Sequence, residues 1–181
     1  MDFIHCLDAK GFAELLGVAV GEFSEDILKA ISWSDLRYCN HSERGTINVI
    51  LTILKRIDSP DLGVAGVDGK ERWVRGWQEN LDNFIKNDCD VGELVPKFIR
   101  PNRPIRLRGD YVMPRNSEFE LQFYNIFRKW LFRKYLSEFD AVYEFGCGTG
   151  FNLVELSKLY PEKKLHGLEW VEPPLTIMRL L

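Results

Sequence analysis

The sequence predicts an α/β protein in which a mainly helical N-terminal region precedes one strand–helix–strand unit. In the first 96 residues, apolar side chains recur at the three- and four-residue spacing of amphipathic helices. After residue 138, two short apolar runs flank a glycine-rich turn and another helical pattern. That order is typical of two parallel strands joined by a crossover helix.

Length and composition are those of a globular protein. The chain has 181 residues, of which 45% are hydrophobic and 28% are charged. A formal net charge of -3 argues against a basic surface for nucleic acid. No apolar run approaches the length of a membrane span, and the N-terminus lacks the pattern of a secretory signal. We therefore expect a cytoplasmic protein that binds neither nucleic acid nor membrane.

The cysteines indicate neither a disulfide framework nor a metal site. Cys6, Cys39, Cys89 and Cys147 form no Cys-x-x-Cys pair, and no known metal-ligand spacing is met. We expect reduced thiols and no bound metal. Cys147 lies inside the glycine-rich turn without a histidine near it in sequence, so we interpret it as a small loop residue rather than a nucleophile.

The N-terminal region, residues 1–96, predicts a series of helices. A short helix ends near Gly17, and Ser24 caps a second helix whose first turn is acidic. Ser42 caps a third helix, which ends at the sequence Asp-Ser-Pro. A fourth helix follows the loop at residues 58–69 and continues to about residue 87. The apolar positions of the third helix are Ile47, Ile50, Leu51, Leu54 and Ile57.

Two local signals flank this fourth helix. Asp68 and Glu71 have the spacing of a capping box at its start. Beyond it, residues 97–116 are rich in basic side chains and proline, which predicts an extended linker with a short strand at Ile105–Leu107. We interpret the basic charge as solvated, with contact to an anionic substrate or to the carboxylate of a cofactor as the alternative.

The C-terminal part predicts an ordered α/β segment. A long helix spans residues 117 to about 138, followed by a strand at 140–145, a crossover helix at 150–160 and a second strand at 164–169. The strands should lie parallel and adjacent, with their carboxyl ends facing a ligand. Pro173–Pro174 then begins a last helix.

The most informative stretch joins the first of these strands to its helix. From Glu144 to Gly150 it reads Glu-Phe-Gly-Cys-Gly-Thr-Gly, and glycine lets the backbone approach a bulky ligand closely. A dinucleotide fingerprint needs its third glycine where Phe151 stands, which disfavours a nicotinamide-dependent oxidoreductase. A carboxylate at Glu144 repels a pyrophosphate but attracts an ammonium group.

A second acidic residue, Glu169, follows the glycine-rich turn at the distance that is typical of nucleotide-binding α/β units. Glu169 ends the second strand about 19 residues beyond Gly150, where a carboxylate accepts hydrogen bonds from ribose hydroxyls. Together the two signals resemble the first part of a class I S-adenosylmethionine-dependent methyltransferase, over roughly residues 118 to 181. The cofactor-binding residues that the resemblance implies are Glu144, Phe145, Gly146, Gly148, Gly150 and Glu169. It assigns no catalytic residue.

The patterns along the chain, together with the resemblance, predict a domain organisation. Residues 1–96 form a helical region and a candidate substrate cap, 97–116 a basic, proline-rich linker, and 117–181 the start of a Rossmann-like methyltransferase domain. The family's sheet has more strands than the two predicted here. We therefore expect a truncated N-terminal portion of a longer enzyme that is inactive alone.

The expected cofactor is S-adenosylmethionine, and the expected methyl acceptor is an unidentified small molecule. Uncovered edges of the two-stranded sheet also predict self-association. The alternative function is a non-catalytic helical interaction module that carries a remnant α/β segment.

Overall fold

In a computed structural model, which describes residues 4–58, 69–99 and 101–181, the chain is a mixed α/β protein. The strands of these ranges are β1 (Ile4–Cys6), β2 (Arg37–Asn40), β3 (Ile105–Leu107), β4 (Asp110–Pro114), β5 (Ala141–Phe145) and β6 (Lys164–Leu168). Their α-helices are α1 (Ala9–Leu16), α2 (Glu25–Trp33), α3 (Glu43–Ile57), α4 (Gly69–Lys86), α5 (Phe119–Tyr135), α6 (Phe151–Leu159) and α7 (Glu172–Leu180). Within the described ranges, no helix has both the length and the hydropathy needed to cross a bilayer.

The chain divides into two compact units. The first contains Met1–Leu62 and Arg100–Trp130, and the second contains Gly63–Ile99 and Leu131–Leu181. This division differs from the expected one at residues 96 and 117, because α4 belongs to the second unit and β3 and β4 belong to the first. Each unit has its own sheet.

An antiparallel sheet in the order β1–β2–β4–β3 organises the first unit. In the middle of β2, Cys39 is buried and pairs in register with Ile4 of β1 and with Met113 of β4. Two helices that flank these strands in sequence also contact each other, since Phe12 of α1 stacks on Phe123 of α5 with ring centroids 4.9 Å apart. The N-terminal region is therefore less purely helical than its periodicity indicates.

The segment at 97–116 contains a β-hairpin rather than a simple linker. The strand expected at Ile105–Leu107 is confirmed as β3, and it pairs with β4. Arg108 and Gly109 form a two-residue connection in which both have positive φ, +52° and +88°, as a tight hairpin turn requires. The Arg108 guanidinium donates to the Glu14 carboxylate at 2.8 Å and to the Gly11 carbonyl at 3.1 Å. Arg108, one of the basic residues of this segment, therefore forms an ion pair within the chain.

The helix starts predicted at Ser24 and Ser42 are confirmed, although the two serines act differently. The Ser42 hydroxyl oxygen accepts a hydrogen bond from the Gly45 N–H at 3.2 Å, as a capping side chain does. The Ser24 hydroxyl instead donates to the Asp26 carboxylate at 2.6 Å. The capping box expected at Asp68 lies outside the described residues.

A parallel βαβ motif organises the second unit. β5 and β6 pair in register from Ala141 opposite Lys164 to Phe145 opposite Leu168, which confirms the expectation of adjacent parallel strands. α6 connects them, and α4 packs against α7. The core of this unit contains Leu81, Phe84, Leu94 and Ile177, with Phe151 and Val154 packed against them.

A pair of neighbouring residues on α4 tests this core. Phe84 is fully buried and Ile85 is 55% exposed. We expect Phe84→Ala to lower the free energy of unfolding by about 3–5 kcal/mol, because it leaves a cavity. The control Ile85→Ala should change it by only about 0.5 kcal/mol. Urea unfolding measures both, and similar losses for the two variants would contradict the assigned packing.

Candidate functional site

The turn between β5 and α6 has a backbone that glycine adopts far more easily than other residues. Gly146, Gly148 and Gly150 all have positive φ, at +68°, +55° and +76°. A side chain in this left-handed region costs roughly 1–2 kcal/mol. The alternating glycines are therefore required by the path of the chain itself, before any ligand is considered.

The three glycines face different surroundings. A Cβ on Gly148 would lie 2.8 Å from the Trp77 ring of α4, so this glycine lets α4 approach the turn. A Cβ on Gly150 would make ordinary contact with Met178, at 3.5 Å. Gly146 is exposed, and nothing lies within 4 Å of its Cβ position. Of the three, only Gly146 has an open backbone on the side where a side chain would stand, and its N–H already donates to the Leu168 carbonyl.

The Glu169 carboxylate ties this turn to the end of β6. Its Oε2 accepts a hydrogen bond from the Gly148 N–H at 3.1 Å. Its Oε1 accepts from the N–H groups of Trp170 and Val171 at 2.7 and 3.2 Å. An ionised carboxylate has about four acceptor positions, so these three bonds leave capacity for another donor. Two of the predicted site residues, Glu169 and Gly148, are thus brought into direct contact.

Glu144 and Phe145 point to opposite faces of the two-stranded sheet. Glu144 is half-buried, and its Oε1 accepts a hydrogen bond from the Asn152 amide, in the first turn of α6, at 2.7 Å. It stands opposite Gly167 of β6, where an added Cβ would lie 2.7 Å from the Leu153 side chain of α6. Phe145 is 81% exposed. Its ring therefore adds open apolar surface immediately before Gly146.

Cys147 is a packing residue, as its position in the turn indicated. It is buried, and its Sγ lies 3.3 Å from the Met178 Sδ. Burial, followed by the negative charges of Glu144 and Glu169, raises the pKa of the thiol to about 11. At neutral pH the group is a thiol, which is a poor nucleophile.

A buried polar network that sequence reasoning missed supports the turn from the other side. The Thr149 hydroxyl donates to the Leu94 carbonyl at 2.6 Å. The Asn80 amide of α4 donates to the carbonyls on either side, those of Glu93 at 2.7 Å and Val95 at 3.1 Å. Both Asn80 and Thr149 are almost completely buried. The available signal was a polar residue, Asn80, at helical spacing between the apolar residues Trp77 and Phe84 of α4.

An apolar cavity of about 400 Å³ lies next to the turn, between α6 and α7. Leu153, Leu165, Leu175 and Met178 are among its lining residues. Gly150 is the only one of the six predicted cofactor residues that lines it, and among the described residues no Asp or Glu side chain does. The cavity is therefore separate from the open backbone at Gly146 and from Glu169.

Neither a grouping of metal-ligating side chains nor a match to another protein adds information about this site. Within the ranges that the structure describes, no three His, Cys, Asp or Glu side chains are grouped to hold a metal ion. Comparison of the chain with protein-family models, with curated proteins and with solved structures gave no match. Function is therefore inferred from the geometry of the turn.

Thiol alkylation tests the environment of Cys147. With a pKa of about 11, only about one thiol in a thousand is ionised at pH 8. We expect iodoacetamide to modify the exposed Cys6 and Cys89 in the folded protein and to leave Cys147 unmodified, as read by peptide mass spectrometry. Modification of Cys147 at the rate of Cys6 would contradict its buried position.

Two matched glycine variants separate backbone strain from packing. Gly146→Ala adds a methyl group in open space and should cost roughly 1–2 kcal/mol of unfolding free energy through its positive φ. Gly148→Ala carries the same strain and also overlaps the Trp77 ring, so it should lose a further 1–3 kcal/mol or so. Thermal unfolding measures the difference, and equal losses would show that Trp77 does not restrict this position.

Proposed function

We propose that the turn and the carboxyl ends of β5 and β6 bind S-adenosylmethionine, and that the chain is part of a Rossmann-like methyltransferase for a small-molecule acceptor. One observation carries the proposal: the Glu169 carboxylate after β6 is hydrogen-bonded to Gly148 in the glycine turn after the parallel strand β5. This contact puts an acceptor for ribose hydroxyls next to the open backbone at Gly146.

Hydrogen bonding in the turn argues against a phosphate-containing cofactor. Loops that hold phosphate do so with free backbone N–H groups. Here the N–H groups of Gly146 and Cys147 donate to the Leu168 carbonyl at 2.7 and 3.3 Å. The N–H of Gly148 donates to Glu169, and that of Gly150 to the Cys147 carbonyl at 3.0 Å. Four of the donors that would cradle a pyrophosphate already have acceptors.

The negative charge of the site also argues against a phosphate-containing cofactor. Glu144 and Glu169 place two carboxylates beside the turn, and both contribute to the raised pKa of Cys147. Negative charge at this place disfavours a pyrophosphate and favours a ligand with an ammonium and a sulfonium group. S-adenosylmethionine carries both cations and no phosphate, so it fits the two carboxylates of the site.

The proposed roles follow from the positions of the side chains. Glu169 would accept hydrogen bonds from the ribose, Gly146 would allow close approach, and the Phe145 ring would cover an apolar part of the cofactor. Glu144 would attract the ammonium group. Bound S-adenosylmethionine supplies a methyl group that is already activated, so the residues of the site need only position it and exclude water.

We assign no catalytic base. A parallel sheet of two strands, as found in the described residues, offers one wall of a cofactor site. We therefore expect this chain to show cofactor binding rather than turnover.

Calorimetric titration with S-adenosylmethionine tests the proposal. We expect wild-type chain to bind it, and Glu169→Gln to bind at least about tenfold more weakly, or about 1.4 kcal/mol, because the variant loses a charged acceptor. Glu162→Gln is the matched control, since Glu162 is exposed in the turn before β6. It should bind like wild type.

Thermal unfolding of each variant establishes that the protein titrated is folded. Absence of binding by folded wild-type chain at millimolar cofactor would contradict the proposal. Tighter binding of NAD than of S-adenosylmethionine would also contradict it, because the occupied N–H groups leave little to hold a pyrophosphate.

A further inference from the structure

In the part of the chain that the structure describes, the apolar face of helix α3 is exposed. None of its 15 residues is buried. Its exposed aliphatic side chains are Ile47, Ile50, Leu51, Ile53, Leu54 and Ile57, which are 37–60% accessible. Isolated helices of this length are marginal in water, and a continuous apolar patch on a protein surface marks an interaction site.

The spacing of these residues indicates what covers them. Ile47, Ile50, Leu54 and Ile57 recur at intervals of three, four and three residues, which are the a and d positions of two heptads. Apolar a and d side chains form the seam along which two helices pair in a coiled coil. We propose that α3 pairs with α3 of a second copy of the chain, in antiparallel orientation, to form a symmetric dimer.

The exposed area is compatible with such a dimer. The six aliphatic side chains together expose roughly 500 Å² per copy, so symmetric pairing would cover roughly 1,000 Å² before flanking residues are counted. That places the interface near the lower limit of specific protein interfaces. We therefore expect reversible association with a dissociation constant in the micromolar range.

Charge at the N-terminal end of α3 disfavours a parallel arrangement. Glu43 lies four residues before Ile47, at the d position of the preceding heptad, and is therefore in line with the seam. Parallel pairing would place the two Glu43 carboxylates against each other, which is unfavourable. An antiparallel arrangement moves them to opposite ends of the dimer.

Charge on the flank of the seam favours the antiparallel arrangement. When Ile47 of one copy lies opposite Ile57 of the other, Leu51 lies near the twofold axis. Arg44 and Asp58 both occupy heptad position e, seven residues to either side of Leu51. Each Arg44 then meets Asp58 of the other copy, which forms two symmetric ion pairs.

Sedimentation velocity tests the dimer and its interface. We expect the wild-type chain to pass from a monomer of 21.1 kDa to a dimer as its concentration rises through the micromolar range. Ile50→Glu with Leu54→Glu should weaken dimerisation at least about 100-fold by placing four carboxylates in the seam. Asn48→Glu with Thr52→Glu adds the same charge on the opposite side of α3, and this control should dimerise like wild type.

A charge-reversal cycle tests the orientation. Arg44→Asp and Asp58→Arg should each weaken the dimer by about three- to tenfold, and the doubly reversed variant should recover to within about twofold of wild type. Circular dichroism establishes that each variant retains its helices.

Three results would overturn the proposal. If the wild-type chain remained monomeric at high micromolar concentration, α3 would not pair with a second copy, and its seam would need a different partner. A dimer that survives Ile50→Glu with Leu54→Glu would point to another surface, such as the open edges of β5 and β6. A doubly reversed variant no stronger than the single variants would exclude the antiparallel pairing. None of these results depends on cofactor binding.

Discussion

The hydrogen bonds of the Glu169 carboxylate are the interaction on which the candidate site depends. A parallel strand pair brings two carboxyl ends to the same edge but leaves the segments beyond them unconnected. Here one side chain joins them, because Glu169 accepts from Gly148 after β5 and from Trp170 and Val171 after β6. Bonds from amides to a carboxylate are stronger than neutral ones. The link fixes the distance between the open backbone at Gly146 and the acidic acceptor.

The turn is also held from a part of the chain that is distant in sequence. Thr149 and Asn80 together satisfy three consecutive carbonyls, from Glu93 to Val95; the bond to Leu94 is buried and the other two are partly buried. A carbonyl shielded from water destabilises the fold if it loses its donor. The close approach of α4 in turn requires a residue without a side chain at Gly148, where the Trp77 ring lies. The glycine motif is therefore required by internal packing at Gly148, in addition to the ligand access that we propose at Gly146.

Local patterns in the sequence were sufficient for the βαβ motif and for the helix starts, since strand, turn and helix signals are consecutive there. They were not sufficient for the first sheet. β1 and β2 are three and four residues long, too short to show a periodicity, and β4 follows a turn in which an arginine, Arg108, has positive φ. Asn80 was also missed, because its partners lie 13 and 15 residues away along the chain. Hydrogen bonds between residues this far apart along the chain leave no local pattern in the sequence, so they could not be predicted from it.

The most direct measurement is an amide chemical-shift titration of ¹⁵N-labelled protein with S-adenosylmethionine. The largest changes should occur at Gly146 and Gly148 and at Trp170 after β6, because these amides border the Glu169 carboxylate and the open backbone. Changes concentrated instead at Leu153 and Met178, in the cavity between α6 and α7, would contradict the assigned site. Unchanged spectra at millimolar cofactor would contradict cofactor binding itself.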